Sequence, residues 1–131
     1  VHGYLKRANE ELCVLVQIET REALDRLESI AAVDGVDGVF IGPSDLAASL
    51  GHIGDMQHAT GQAALQDGAR RLAAVGKPAG ILTVNEDEAC RYIAWGYSFI
   101  AVGSDLGILA TGADTLVRKF KSQEKLQKLA R

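Results

Sequence analysis

Four short apolar runs, separated by amphipathic stretches, constrain the fold of this chain more than any other feature. Each run is rich in Val, Ile and Leu and lacks a regular polar alternation, which is typical of strands buried on both faces. The four runs cover residues 12–18, 38–41, 78–84 and 98–102. A strand followed by a helix, repeated along the chain, predicts a parallel sheet built from βα units.

The stretches between these runs predict the helices. Apolar side chains recur at helical spacing in residues 21–32, 62–75, 86–95 and the second half of 106–130. Gly76 ends the second stretch, and Asn85 is expected to cap the third, with Glu88 as its capping-box partner. Residues 51–61, which contain several glycines, are expected to form a surface loop.

Four βα units amount to half of a (β/α)8 barrel, whose usual length is about 250 residues. The 131-residue chain is expected to form a single domain over residues 1–131. Because an isolated half barrel leaves two open sheet edges, a complete flavodoxin-like domain is the alternative. That fold usually has about five strands and a ligand loop, and no glycine-rich phosphate-binding motif follows any run here. The pattern therefore favours the half barrel.

Composition excludes several classes of function. The formal net charge of −3 argues against a nucleic-acid-binding surface. No apolar run reaches the roughly 18 residues that a membrane span needs. The polar opening, residues 1–7, is unlike a signal peptide, so a cytoplasmic location is expected. Cys13 and Cys90 lack metal-binding spacing and are expected to be buried as small hydrophobic residues.

Two of the runs lead into an acidic residue, and this pair carries the main functional hypothesis. Glu19 ends the first run, and Asp45 follows the second after Gly42-Pro43-Ser44. Two carboxylates at one rim of a parallel sheet suit a hard divalent cation. From the pattern alone, Glu19 is equally well explained as a helix-start charge, and for Asp45 that simpler role is favoured. Gln17 lies on the same side of its strand as Glu19 and needs a polar partner there.

The segments around these acids resemble a known family. Residues 14–19 (VLVQIE) and 37–51 (DGVFIGPSDLAASLG) are similar to the hydroxy-oxo-acid aldolase branch of the aldolase/citrate lyase family. That branch includes the 4-hydroxy-2-oxoheptanedioate and 2-keto-3-deoxy sugar-acid aldolases. Residues 76–82, 94–96 and 99–105 continue the similarity in the same order. The resemblance implies a (β/α)8 barrel of about twice this length. This chain would be its C-terminal half, either as a fragment or as a truncated gene product.

The resemblance also implies a metal centre. By it, Glu19 and Asp45 are the ligands of a divalent ion, for which Mg²⁺, Mn²⁺ and Co²⁺ suit two carboxylates. Gln17 is implied to belong to the catalytic site. The N-terminal half of such a barrel supplies a catalytic histidine and an arginine that grips the oxo-acid, and neither is expected within these 131 residues.

Substrate binding is implied at the same rim. Gly42, Ser44 and the backbone of Asp45 are expected to cradle the substrate carboxylate, with the N–H donors at residues 44 and 45 because Pro43 has none. Leu82 is expected to line the aldehyde side of the pocket, although a simple core position explains it nearly as well.

The implied function is a class II aldolase that cleaves a 4-hydroxy-2-oxo acid to pyruvate and an aldehyde, weak or inactive as this chain alone. Two alternatives remain: a citryl- or malyl-thioester lyase of the same superfamily, and a non-catalytic remnant that acts only in oligomer assembly. The family also implies a homo-oligomer, a hexamer in which the last helix packs on a neighbouring subunit.

Other candidate residues receive simpler interpretations. His2, His52 and His58 lack metal-ligand spacing, and the two in the loop are expected to be solvated. Asp105 is expected to be a helix-start acid. Lys77 precedes a strand, on the face opposite the chemistry, which argues against a Schiff-base lysine.

Overall fold

The computed structural model describes residues 3–129, and side chains as far as residue 121. Its strands are β1 (Leu15–Ile18), β2 (Gly38–Ile41), β3 (Ala79–Leu82) and β4 (Phe99–Ala101). Its helices are α1 (Tyr4–Glu11), α2 (Arg21–Asp25), α3 (Leu27–Ala31), α4 (Pro43–Ser49), α5 (Ala59–Ala74), α6 (Glu86–Ala94) and α7 (Asp105–Leu129).

The strands form one sheet in which every neighbouring pair is parallel and the spatial order follows the chain, β1-β2-β3-β4. Helices lie between consecutive strands, as parallel connections require. A flavodoxin-like sheet would reverse its strand order at some point, and this one does not. The predicted series of βα units, with the topology of half a barrel, is confirmed.

One face of this sheet is buried beneath the helices and forms the core. Ile18, Val39, Ile41 and Ile81 are almost completely buried on this face. Their helical partners in the core cluster include Leu24, Leu27, Leu65, Ala69 and Leu72. Because side chains alternate along a strand, the residues between these core positions point to the opposite face.

That opposite face, called here the inner face, is open. Its side chains include Leu15, Leu82 and Phe99, which are 40%, 41% and 52% exposed. The prediction that the strands are buried on both faces is therefore wrong for the inner face of the described residues. Among the described residues, helices cover only the outer face, because the crossover helices pack on that side.

Aromatic packing gives the inner face its shape. Phe40 and Phe99 pair with Gly80 from either side in the sheet register, and their rings meet edge to face with centroids 5.9 Å apart. A Cβ at Gly80 would lie 2.7 Å from the Phe40 ring, so glycine is what allows the two rings to meet across β3.

Several helix boundaries differ from the prediction. Helix α1 was not expected, and the stretch 21–32 divides into α2 and α3 at Arg26. Helix α5 begins at Ala59, inside the expected loop, because His58 caps it by accepting a hydrogen bond from the N–H of Thr60 at Nδ1. Helix α7 begins at Asp105 and is not restricted to the second half of its stretch. Residue 130, where the last helix was predicted to end, and the side chains of residues 122–131 lie outside the described part of the chain.

Both cysteines correct an expectation. Cys13 and Cys90 are exposed, not buried. Cys13 lies in the segment before β1, at one open edge of the sheet, and Cys90 lies on the outward side of α6. Within residues 3–129, no helix combines the length and apolar character that crossing a membrane requires.

Candidate active site

The carboxyl ends of β1 and β2 bring Glu19 and Gly42 side by side. The last paired residues of these strands are Ile18 and Ile41, and Glu19 and Gly42 follow them directly. The N–H of Gly42 donates to the carbonyl oxygen of Ile18 at 3.0 Å, which extends the strand pairing by one step. Both residues therefore lie at the rim where active sites of parallel barrels occur.

The carboxylate of Glu19 occupies the space above Gly42. A Cβ added at residue 42 would lie 2.8 Å from both Cγ and Oε1 of Glu19. The backbone of Gly42 has φ −85°, a value that any residue can adopt, so its conformation does not require glycine. Glycine is needed here because the Glu19 side chain fills the place of a side chain at residue 42.

Gln17 provides the hydrogen bond that orients this carboxylate. Its Nε2 donates to Oε1 of Glu19 at 3.0 Å. Gln17 and Glu19 point to the inner face together because they are two residues apart at the end of one strand. The polar partner that the sequence required for Gln17 is thus Glu19 itself.

Asp45 lies in the first turn of α4, which begins directly after β2. Gly42 is the N-cap, Pro43 is the first helical residue, and the N–H of Leu46 closes the turn on the carbonyl oxygen of Gly42 at 3.0 Å. The amides of Ser44 and Asp45 therefore belong to the first turn, whose N–H groups have no acceptor within the helix. Asp45 is exposed at the same rim as Glu19.

Leu82 completes the set at the end of β3. Extending the register one residue beyond the pair Ile41–Ile81 places it beside Gly42, and it is paired with Ala101 on its other side. Its side chain is 41% exposed on the open inner face, so it is not a simple core leucine in the described chain.

The site holds two candidate carboxylate ligands and no larger cluster. Among the described side chains, no group of three or more His, Cys, Asp and Glu residues is arranged to hold a metal ion. A site with few protein ligands leaves coordination positions for water and substrate, as is usual for Mg²⁺.

A polar network beside the site was not found from the sequence. Thr83, which follows Leu82, donates its hydroxyl proton to Oε2 of Glu88 at 2.6 Å and accepts from the N–H of Asn85 at 3.1 Å. Gln57 donates to the other oxygen of Glu88, and Arg91 donates to Oε1 of Gln57 at 3.1 Å. In the sequence, Thr83 is the one polar residue of the apolar run 78–84, and this is the signal, beside the predicted capping pair Asn85 and Glu88, that could have indicated the network.

This network also corrects part of the predicted capping box. Asn85 does cap α6, since its Oδ1 accepts from the N–H of Glu88 at 3.0 Å. The carboxylate of Glu88, however, bonds to Thr83 and Gln57, and the N–H of Asn85 donates to Thr83 instead. The hydroxyl of Thr83 therefore takes the place of the glutamate side chain as the acceptor for that amide.

The remaining candidates make other contacts, and no hydrogen bond to Glu19 or Asp45 is found for them among the described residues. Lys77 donates to the carbonyl oxygen of Val36, at the amino ends of the strands, as predicted. Asp105 accepts from the N–H of Leu106 at 2.7 Å, which confirms it as a helix-start acid. His52 and His58 are half-buried, with stacked rings whose centroids are 3.4 Å apart, and are not loosely solvated as expected. His2 lies outside the described residues.

Fold and rim together define the class of protein: a (β/α)8-type parallel sheet with polar side chains at the carboxyl ends of its strands. Residues 2–111 match the family described as HpcH/HpaI aldolase/citrate lyase. The chain therefore belongs to the HpcH/HpaI aldolase/citrate lyase family.

Individual relatives agree with this assignment. The chain is 56% identical over 120 residues to a pyruvate aldolase of Rhizobium etli, covering 92% of this chain and 47% of that protein. It is 50% identical over 126 residues to a 4-hydroxy-2-oxo-heptane-1,7-dioate aldolase of Salmonella heidelberg, covering 96% and 48%. A 5-keto-4-deoxy-D-glucarate aldolase of Shigella dysenteriae is 48% identical over 121 residues, covering 92% and 47%. The chain thus spans about half the length of the curated relatives it matches.

A solved structure shows the same fold. The crystal structure of an HpcH/HpaI aldolase/citrate lyase family protein from Burkholderia cenocepacia matches with a TM-score of 0.81 at 35% identity, covering 92% of this chain and 47% of that one. The predicted (β/α)8 family and the predicted relationship to these aldolases are both confirmed.

Proposed function

We propose that the full-length protein containing this chain is a metal-dependent class II aldolase that reversibly cleaves a 4-hydroxy-2-oxo acid to pyruvate and an aldehyde. The observation that carries this proposal is the carboxylate of Glu19, held by Gln17 and seated over Gly42 at the rim of the sheet. Three relatives that are named as aldolases of different substrates, each about half identical to the chain, support the reaction class.

The residues present fit a divalent metal ion. Glu19 and Asp45 would hold it, since both are carboxylates at the same rim and the family resemblance implies a divalent metal there. The amide of Gln17 orients one Glu19 oxygen, as an outer partner of a metal ligand does. A bound Mg²⁺, Mn²⁺ or Co²⁺ would supply the positive charge that favours charge development on the substrate keto oxygen.

The other rim residues are assigned to the substrate. The amides of Ser44 and Asp45, reached across Gly42, would receive the carboxylate of the oxo-acid, because first-turn N–H groups attract anions. Leu82 would border the aldehyde portion from β3. The proton on the 4-hydroxyl needs a base, which by family resemblance comes from the N-terminal half of the barrel and lies outside these 131 residues.

The test uses the full-length protein encoded by the gene that contains this chain. Exchange of the pyruvate C3 protons in D₂O, followed by NMR, reports on the oxo-acid site alone, and cleavage of a 4-hydroxy-2-oxo acid reports on the whole reaction. Both should require divalent metal and should be abolished in Glu19→Gln and Asp45→Asn. The matched control, Asp105→Asn, alters another acid at a helix start and should keep both activities.

Three outcomes would contradict the proposal. Full activity in Glu19→Gln would contradict the proposal that Glu19 is a metal ligand. Turnover of malyl-coenzyme A without turnover of the hydroxy-oxo acid would favour the thioester lyase, and no binding of Mg²⁺ with oxalate would favour a non-catalytic remnant. Residues 1–131 alone should bind metal weakly and show little turnover, because the base and the arginine are expected elsewhere.

We also propose a homo-oligomer and a cytoplasmic location. Helix α7 supports the first, because it is exposed along its described length and carries large apolar side chains that nothing in the described chain covers: Leu106, Ile108, Leu109, Leu116, Val117 and Phe120. Light scattering of the full-length protein should give a mass well above that of one subunit, a hexamer by family resemblance. Phe120→Asp should lower that mass.

A further inference from the structure

Thr83 is the one buried polar side chain among the described residues, at 6% exposure, and it directly follows the rim residue Leu82. Its position is fixed from two directions. Its backbone N–H donates to the carbonyl oxygen of Ala101 on β4 at 2.9 Å. Its hydroxyl donates to Glu88 and accepts from Asn85. The conformation at the end of β3 therefore depends on the groups that form hydrogen bonds with the Thr83 hydroxyl.

The directions of the hydrogen bonds make Glu88 the centre of the network. An ionised carboxylate only accepts, so the single hydroxyl proton of Thr83 must point to Glu88. The second oxygen of Glu88 accepts from Nε2 of Gln57. The amide oxygen of Gln57 is then turned toward Arg91, which donates to it at 3.1 Å. Each of these hydrogen bonds therefore has one possible direction, which fixes the orientation of the Gln57 amide.

Gln57 lies in a different segment of the chain from Thr83. It lies in the connection between α4 and α5 and is 31 residues from Glu88 in sequence. Helix α4 begins directly after Gly42 and carries Asp45. Glu88 thus joins the segment that ends in Leu82 to the segment that begins with the proposed carboxylate cradle.

We propose that Glu88 is a positioning residue for aldehyde recognition, which sets the place of Leu82 relative to the turn that carries Asp45. The inference rests on the proposed function, since it takes Leu82 as the aldehyde-side residue. Glu88 acts through Thr83 and Gln57 and does not touch the substrate. The half-reaction at the oxo-acid, which needs no aldehyde, should therefore be insensitive to it.

Replacing the carboxylate by an amide tests this directly. In Glu88→Gln, one acceptor oxygen replaces two, so either the Thr83 hydroxyl or the Gln57 amide loses its acceptor. Condensation of pyruvate with glycolaldehyde and with propanal is measured in the full-length protein, beside pyruvate C3 proton exchange without aldehyde. We expect the aldehyde KM to rise and the ratio of the two kcat/KM values to change, each about fivefold. The rate of proton exchange should stay within about twofold of the wild-type rate. A change of that size is smaller than the loss of one hydrogen bond would cause.

Two further variants complete the design. Glu86→Gln removes a charge from the same first turn of α6 outside this network, and it should change neither measurement. Gln57→Ala removes the two hydrogen bonds that this loop residue makes, to Glu88 and from Arg91. Because Gln57 is exposed, the variant should fold, and it should shift the aldehyde ratio in the same direction as Glu88→Gln.

The outcomes separate this inference from the proposed function. An unchanged aldehyde ratio in both Glu88→Gln and Gln57→Ala would overturn the inference, as would an equal loss of exchange and condensation, which indicates general structural damage. Absence of both activities from the wild-type protein would instead overturn the proposed function.

Discussion

Glu19 and Gly42 are so close at the ends of neighbouring strands that residue 42 has no room for a side chain. Cγ and Oε1 of Glu19 both lie 2.8 Å from the position of a Cβ at residue 42. A glycine in a strand-to-helix turn usually indicates an unusual backbone angle, but Gly42 has φ −85°. The constraint comes from the neighbouring carboxylate and so belongs to the site, not to the turn.

Gly42→Ala should therefore damage the site and leave the fold intact. The backbone angle accommodates alanine, and the Glu19 side chain is flexible enough to move away. Movement of the carboxylate should weaken metal binding by about tenfold or more, as disturbed ligand orientation does. Calorimetric titration of the full-length protein with Mn²⁺, beside its thermal unfolding curve, measures both effects.

Gly112→Ala is the matched control for this substitution. A Cβ at residue 112 meets nothing within 4 Å in this chain, so the same change in chemistry is made on α7 without a clash and without contact to Glu19. Metal affinity should remain that of the wild type. If Gly42→Ala binds Mn²⁺ as tightly as Gly112→Ala, Glu19 does not hold the metal in the orientation seen here.

The hydrogen bond from Gln17 to Glu19 makes a second prediction. Gln17→Leu keeps the size of the side chain and removes the donor to Oε1 of Glu19. Because such outer partners fix the direction of a ligand, Mn²⁺ affinity should fall about tenfold while the unfolding temperature changes little. Gln66→Leu, at an exposed position on α5, controls for the loss of an exposed amide. Equal affinities in the two variants would refute the orienting role of Gln17.

Local patterns in the sequence were sufficient for the strands, their parallel order and the cap at Asn85. These features depend on periodicity and on neighbours in sequence, which a single chain displays directly. The polar character of Gln17 on an apolar strand likewise required a nearby partner, and Glu19 is that partner.

Features that depend on distant segments could not be predicted in this way. The contact between Gln57 and Glu88 joins residues 31 apart, and nothing in either local sequence specifies the other. The apolar runs also predicted burial on both faces, whereas Phe99 and Leu82 are exposed on the inner face. Apolar side chains on an inner face indicate that something covers them, but their sequence does not say which chain or segment does so.

The ion pair of Glu28 with Arg71 should make stability depend on acid pH. Arg71 donates to both carboxylate oxygens of Glu28 at 2.5 Å, and chiefly this hydrogen bonding lowers the pKa of Glu28 from 4.5 to about 2. A lowered pKa means that the stabilisation is complete above pH 4.5 and is lost as the pH falls toward 2. Since the Glu28 side chain is 43% exposed, the contribution is about 0.5–1 kcal/mol.

Urea unfolding of the full-length protein and of Glu28→Gln between neutral pH and pH 3 measures this contribution. The variant should have a lower free energy of unfolding than the wild type at neutral pH. This difference should narrow below about pH 4.5, where Glu28 of the unfolded wild type takes up a proton. Glu22→Gln is the control. The Glu22 side chain is 76% exposed, so its ion pair with Arg26 should contribute little to stability. A difference that stays constant across this pH range would show that the Glu28 charge is not responsible.

Two glycines of helix α5 should respond in opposite ways to the same substitution. Alanine is a better helix former than glycine by about 1 kcal/mol, which favours both replacements. At Gly68, however, a Cβ would lie 2.6 Å from Cδ1 of Ile41, a completely buried residue of β2, and close to Leu24 and Leu27 as well. Either the tightly packed Ile41 side chain or helix α5 would have to shift, so Gly68→Ala should lower the free energy of unfolding by about 1–3 kcal/mol. At Gly61 the nearest atom is the carbonyl oxygen of Met56 at 4.0 Å, so Gly61→Ala should be neutral or stabilising in the same urea titration. Equal effects at the two positions would mean that α5 does not pack against β2 as closely as these distances require.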